Sequence, residues 1–192
     1  MDTSGESHLF FIQYLVLFQI NSCGTDSSLL GTSKRFHACS TDLIGQGAYG
    51  VVYRGTQRST GSTVAIKRIP FADATPEGGV PCNVIREISL LRELDHDNVV
   101  KLLDVIQAQP GGLYLVFEFV SHDLKSFMDK HQTSTDISER VGLPKPMVKN
   151  FLKQILAGVG FCHTYRVLHR DLKPHNVSFH YHDFINNYFK II

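Results

Sequence analysis

The chain has no tryptophan, only four cysteines and almost no excess of one charge. The cysteines stand at 23, 39, 82 and 162 with no C-x-x-C pair, so neither a disulfide framework nor a zinc site is expected, and a reducing compartment is the default. Nineteen Lys plus Arg against 18 Asp plus Glu leave a formal net charge of +1, which argues against a nucleic-acid partner held by bulk charge. Long apolar runs are missing as well. Leu9 to Ile20 (LFFIQYLVLFQI) is too short to span a bilayer and no later stretch looks transmembrane, so no membrane partner is expected. That run precedes the small-x-small triplet Ser22-Cys23-Gly24, but Asp2 and Glu6 lie before it with no Lys or Arg, which disfavours a secretory signal. With 43% hydrophobic residues over 192 positions, the composition is that of a globular chain of one medium domain or two small lobes.

Local pattern divides the chain. Val51-Val52-Tyr53 and Val64-Ala65-Ile66 are β-branched runs separated by the turn-prone Ser59-Thr60-Gly61-Ser62, which predicts a hairpin. After a Gly/Pro-rich loop, Pro76 to Pro81, the residues Ile85, Ile88, Leu91 and Leu94 recur at helical spacing. Val99 to Val105 and Leu113 to Val120, parted by Gln109-Pro110-Gly111-Gly112, predict a second hairpin. From Asp123 the pattern turns helical: a short segment to about Lys130, a polar loop, then a long helix from about Lys145 to Thr164. Its apolar residues (Val148, Phe151, Leu152, Ile155, Leu156, Val159 and Phe161) cover more than one face, as expected of a helix buried on several sides.

Three features carry chemistry. Gly45-Gln46-Gly47-Ala48-Tyr49-Gly50-Val51-Val52 is a G-x-G-x-x-G-x-V stretch; a dinucleotide-binding turn would open a helix, whereas here a strand follows, so the glycines cap a hairpin whose backbone can lie over phosphates. A ligand-free glycine turn is the plainer alternative. Lys67 sits in the apolar strand Val64-Ala65-Ile66-Lys67, where its ammonium needs an anion unless it snorkels out at the strand end. Glu87, between Ile85 and Ile88 on the predicted helix, is the carboxylate available to pair with it. The most specific string is His169-Arg170-Asp171-Leu172-Lys173-Pro174-His175-Asn176, whose H-R-D-x-x-x-x-N spacing suits an aspartate facing an incoming hydroxyl and an asparagine offering an amide oxygen to Mg2+.

With these motifs in this order, about Leu43 to Asn176 resembles the eukaryotic protein kinases, and within them the cyclin-dependent kinases of the cell-cycle type. Similar family stretches read like Gly45 to Tyr53 (GQGAYGVVY), Val84 to Leu94 (VIREISLLREL), Leu113 to Leu124 (LYLVFEFVSHDL) and Phe161 to Pro174 (FCHTYRVLHRDLKP). The resemblance implies an α+β, bilobal protein-kinase fold. It would have a complete β-rich small lobe with a five-stranded antiparallel sheet and one helix, and a partial helical large lobe. It divides the chain into a non-kinase segment at 1–35, a small lobe at 36–120, a partial large lobe at 121–176 and a tail at 177–192.

The resemblance also implies roles for individual residues. The Gly-rich loop, Ile44 to Val52 with Gly45, Gly47, Tyr49 and Gly50, would cover ATP, with Val52 and Ala65 at the adenine roof. Lys67 would hold the phosphates while paired with Glu87. Phe117 would be the gatekeeper, the backbones of Glu118 and Val120 would bind adenine, and Asp123 would lie near the ribose. Asp171 would deprotonate the substrate hydroxyl, Lys173 would steady the phosphoryl group, and Asn176 would bind Mg2+. Lys173 in D-L-K-P is the serine/threonine form. A cyclin docking through Pro81 to Glu87 (PCNVIRE), a protein substrate with Ser/Thr-Pro sites, and residence in nucleus and cytoplasm are implied as well.

Departures qualify this picture. Ala48 stands where the family has threonine, and Cys82-Asn83-Val84 replaces Ser-Thr-Ala. After Asn176 the family continues with an apolar hairpin and then Asp-Phe-Gly, whose aspartate holds a bridging Mg2+. Here Val177-Ser178 puts a hydroxyl under the adenine, and the nearest candidate, Asp183-Phe184-Ile185, lies too close to Asn176 to leave room for two strands. Residues 177–192 and Leu9 to Asn21, both rich in Phe, Ile, Tyr and Asn, are therefore expected to be foreign to the kinase core, and phosphoryl transfer by this chain is expected to be slow or nil.

Overall fold

The computed structural model describes residues 10–11, 35–47, 50–70, 80, 82–108, 112–131, 142–180 and 188–191. After the two-residue strand β1 (Phe10–Phe11) come β2 (Phe36–Gly47), β3 (Gly50–Gln57) and β4 (Thr63–Pro70), then helix α1 (Cys82–Glu93), β5 (Leu102–Ala108) and β6 (Gly112–Glu118). Strands β2 to β6 form one antiparallel sheet in the order β2-β3-β4-β6-β5. The β3–β4 turn falls at 58–62, where Gly61 takes φ +72°, a conformation costly for any residue with a Cβ.

Alternation along the central strands sends their side chains to two separate clusters. Val64 and Ile66 pack with Tyr114, Val116 and Phe36 on one face of the sheet. On the other, Ala65 and Ile69 join Val52, Leu113, Leu115 and Phe117, and α1 covers this face with Val84 and Leu91. Lys67 shares that second face, since its register partner is Leu115 and its neighbours two residues away are Ala65 and Ile69. The β structure therefore turns one lysine into the apolar interior of the lobe.

The second half is built on α2 (Leu124–Lys130) and α3 (Lys145–Thr164), joined by β7 (His122–Asp123), β8 (Val167–Leu168), a 3-10 turn (Pro174–Asn176), β9 (Val177–His180) and β10 (Tyr188–Ile191). Strand β9 pairs antiparallel with both β7 and β10. Phe179 and Phe189, one from each hairpin strand, are fully buried and stack at 4.9 Å, with Phe151 of α3 and Phe127 of α2 against them.

This hairpin corrects the reading of 177–192 as a foreign tail. Both strands of the apolar hairpin are present, because the return strand begins at Tyr188 rather than at Asp183. The candidate Asp183-Phe184-Ile185 falls in the connection between them, outside the described residues. The segment at 1–35 also touches the core, since Phe10 and Phe11 pair in parallel with Val167 and Leu168; the remainder of the apolar run at 9–20 lies outside the described residues. Helix α3 differs from expectation in the opposite sense. It buries Met147, Phe151, Gly158 and Cys162, while Leu152 and Leu156 on another face are 53% and 67% exposed.

At Gly158, α3 approaches the loop before β5 so closely that a Cβ would stand 2.5 Å from the Asn98 carbonyl oxygen, whereas nothing lies within 4 Å of a Cβ at Gly160. Gly158→Ala is expected to destabilise the chain by about 1–3 kcal/mol through overpacking. Gly160→Ala is expected to stabilise it by about 0.5–1 kcal/mol through helix propensity. Urea unfolding of the two variants checks the opposite signs.

Candidate active site

Helix α3 ends in a turn at Arg166, and the chain re-enters the core through β8 before looping out over 169–173. Among the described non-glycine residues, only Arg166 and Arg170 have positive φ, +59° and +63°. Such backbone costs roughly 1–2 kcal/mol per residue and persists where surrounding structure enforces it. Both lie on either side of β8, so strain is concentrated beside Asp171.

Asp171 is held from two sides. Its carboxylate accepts from Lys173 Nζ at 2.7 Å and from Asn176 Nδ2 at 3.2 Å, and the same Nδ2 donates to the Asp171 carbonyl at 2.7 Å. The hydrogen bond from Lys173, aided by its charge and by Asn176, holds the Asp171 carboxyl below the usual aspartate range, so it is ionised at neutral pH. Asn176 is buried, and with its amide protons spent on Asp171, its Oδ1 is left buried without a partner. An unsatisfied buried acceptor costs about 1–3 kcal/mol. A hard cation with oxygen ligands, such as Mg2+, would relieve that cost, so the residue fits the metal role inferred from its spacing.

A cleft of about 260 Å³ opens between the sheet and the helical half. Its upper wall includes Ile44 and Ala65, its back the strand-to-strand connection Glu118 to Ser121, and its floor Asp123 and Ser178. Lys67 follows Ala65 by two positions on the same strand face, and Asn176 precedes Ser178 by two in the chain. Each half thus carries one of these polar groups two positions from a residue that lines the cleft. Burial lowers the Lys67 pKa to about 8.

Of the sequence-predicted residues, Ile44, Ala65, Glu118, Val120 and Asp123 line this cleft. Val52, Gly45 and Phe117 are buried next to it, Val52 opposite Lys67 and Phe117 opposite Ala65 in register, and Gly47 pairs with Gly50 at the end of the β2–β3 hairpin. Tyr49 and Pro81 lie outside the described residues. Asp123 lines the floor, but its carboxylate caps α2 by accepting from Ser126 N at 2.8 Å.

The Lys67–Glu87 pair is a correction: among the ion pairs of the described residues, none joins them. Glu87 Oε2 is buried without a hydrogen-bond partner, and burial raises the Glu87 pKa. With no cation to stabilise its ionised form, Glu87 pays for desolvation alone. Sequence reasoning also missed side chains at the cleft, notably His122 and Arg54, and the link from Lys190 to Glu118 at 2.7 Å. A lysine inside the apolar string Phe189-Lys190-Ile191-Ile192 was the available signal for that link, as it was for Lys67.

A five-stranded lobe, a helical lobe carrying an Asp-Lys-Asn loop, and a cleft between them define a bilobal α+β protein. The family model of the protein kinase domain matches residues 39–192, and the chain belongs to that family. The match extends through the β9–β10 hairpin, in keeping with its place in the core.

The Lys67 ammonium gives a pH test. Its folded pKa, about 8, lies below the unfolded value, so between pH 8 and 10.5 the unfolded chain holds the extra proton and stability from this group rises with pH. Relative to Lys67→Met, the native chain is expected to gain up to ~1.4 kcal/mol per pH unit in that window and nothing below it. Urea titrations of both proteins at stepped pH measure the difference.

Proposed function

We propose that the chain is a serine/threonine protein kinase of the cyclin-dependent type, using ATP and Mg2+ and acting on Ser/Thr-Pro sites of protein substrates in cell-cycle control, in nucleus and cytoplasm. The observation that carries the nucleotide part of this reading is the Asn176 carboxamide. Its two protons hold the Asp171 loop and its oxygen is left for a cation beside the cleft. Ionised Asp171 would accept a hydroxyl proton, and Lys173, bonded to it, would steady the transferring group. Bound Mg2+ would neutralise phosphate charge, and Lys67 supplies a buried cation on the sheet side. The serine/threonine preference rests on Asp171-Leu172-Lys173-Pro174.

Helix α1 supports the cyclin part. Cys82, Ile85 and Arg86 are exposed, so the helix offers an apolar side chain to a partner. Glu87 waits in an unfavourable environment that a shift of α1 toward Lys67 would relieve.

A second reading is favoured by one observation: Glu87 is not paired with Lys67. In that reading the chain binds ATP or a cyclin without efficient transfer. Binding of a fluorescent ADP and transfer from ATP to a Ser-Pro peptide, each with Mg2+ and with or without a cyclin, separate the two. Nucleotide binding is expected to weaken by about tenfold or more in Lys67→Met and in Asn176→Ala. Transfer abolished by Asp171→Asn would establish the kinase reading for these 192 residues; binding without transfer would establish the second. Unchanged binding in both variants would overturn the nucleotide site itself.

A further inference from the structure

The cleft's back wall is held by an ion pair that the catalytic reading does not use. Glu118 ends β6, and its backbone and those of the next two residues form the wall against which a base would lie. Its Oε1 accepts from Lys190 Nζ at 2.7 Å and from the Lys101 backbone N–H at 2.7 Å, while the Glu118 N–H donates to the Lys101 carbonyl at 3.1 Å. Lys190 belongs to β10, and the residues on either side of it are fixed in the core. The Phe189 carbonyl accepts from Asn98 Nδ2 at 2.7 Å, and the Ile191 N–H donates to the Asn98 carbonyl at 3.0 Å. The ammonium is thus presented from a rigid strand to a carboxylate at the start of an irregular segment.

We infer that Lys190 is a positioning residue for nucleotide binding, acting through Glu118. By pinning the Glu118 carboxylate between β10 and Lys101, the residue just before β5, it fixes the edge of 118–120 that faces the base. An exposed ion pair contributes little because water screens it and two long side chains must be ordered. This one differs, since the two side chains are only 15% and 25% exposed and the carboxylate oxygen has a second, backbone donor. A wall ordered before the ligand arrives spares that cost on binding. Phe119, next in the chain, is held separately by the Arg54 guanidinium 5.0 Å above its ring, so the segment is anchored at consecutive residues. The inference rests on the reading of the cleft as a nucleotide site.

The test compares the full chain with Lys190→Met, Lys190→Arg, Glu118→Gln and the Lys190→Met/Glu118→Gln double variant. Amide exchange reports order at 118–121 and Lys101 without ligand, and titration with fluorescent ADP and Mg2+ reports binding. Lys190→Met is expected to speed exchange at 118–121 about tenfold while α3 is unchanged, and to weaken ADP binding about fivefold. Glu118→Gln should match it, the double variant should be no worse than either, and Lys190→Arg should recover most of both. Unchanged exchange in both single variants, additive losses, or loss of cooperative unfolding in both single variants would overturn the inference, the last by making the pair a general support of the fold. If the unaltered chain binds no ADP, the nucleotide reading fails instead, and exchange at 118–121 alone decides whether Lys190 orders the wall.

Discussion

The molecule depends on one junction, where Asn98 meets the strand at 188–191. The Asn98 carboxamide donates to the Phe189 carbonyl and to Gln154 of the long helix, and Gln154 Oε1 in turn accepts from the Phe189 N–H. Backbone bonds on either side of Ile191 tie the same strand to Asn98 and Val100. Three parts of the chain distant in sequence thus satisfy one another's buried polar groups, and each would be left unpaired without the other two. Such a network is stabilising only when complete. Gly158 lets the helix come close enough to complete it. The sheet and the helices are joined here, and the cleft is the space this joint leaves open.

The β9–β10 hairpin is the hardest part to read from sequence, and the reason is physical. Strands with one wet face alternate apolar and polar residues, but Val177, Ser178 and Phe179 are all buried because β9 lies between β7 and β10 over an aromatic core. Four residues without alternation, then seven more before the return strand, carry no hairpin signature. By contrast, the β3–β4 hairpin announced itself through β-branched runs around a glycine turn, and α3 through a long helical period. That period located the helix but not its burial, because periodicity shows which faces are apolar and not which of them finds a neighbour.

The site divides along the same line. The loop from His169 to Asn176 was legible because the H-R-D-x-x-x-x-N string sets specific residue types at a specific spacing, and the structure joins Asp171, Lys173 and Asn176 within one hydrogen-bonded group. Pairings across elements were not legible. Lys67 and Glu87 lie on a strand and a helix whose relative placement no local pattern encodes, and the structure leaves them apart. Asp123 was assigned by position along the chain, while geometry gives its carboxylate to the first turn of α2. Lys190 and Glu118, 72 positions apart, meet only because β10 returns to the sheet side of the junction.

What remains unsatisfied is itself informative. Three buried side-chain polar atoms among the described residues have no hydrogen-bond partner: Arg68 Nε, Glu87 Oε2 and Asn176 Oδ1. Folding alone selects against such atoms, since each costs about 1–3 kcal/mol and water is excluded from where they sit. Two of the three belong to residues marked for chemistry by their place in the sequence, and the third adjoins Lys67. Glu87 lies on α1 and Asn176 in the turn before β9, whereas Arg68, opposite Tyr114 in register, projects to the other face of the sheet from Lys67. At Glu87 and Asn176 the cost falls on two residues whose types and spacing mark them for chemistry, as expected of positions kept for something other than stability. The same reasoning accounts for the contrast with the Asn98 junction, whose polar atoms the chain satisfies by itself because its work is to hold the two halves together.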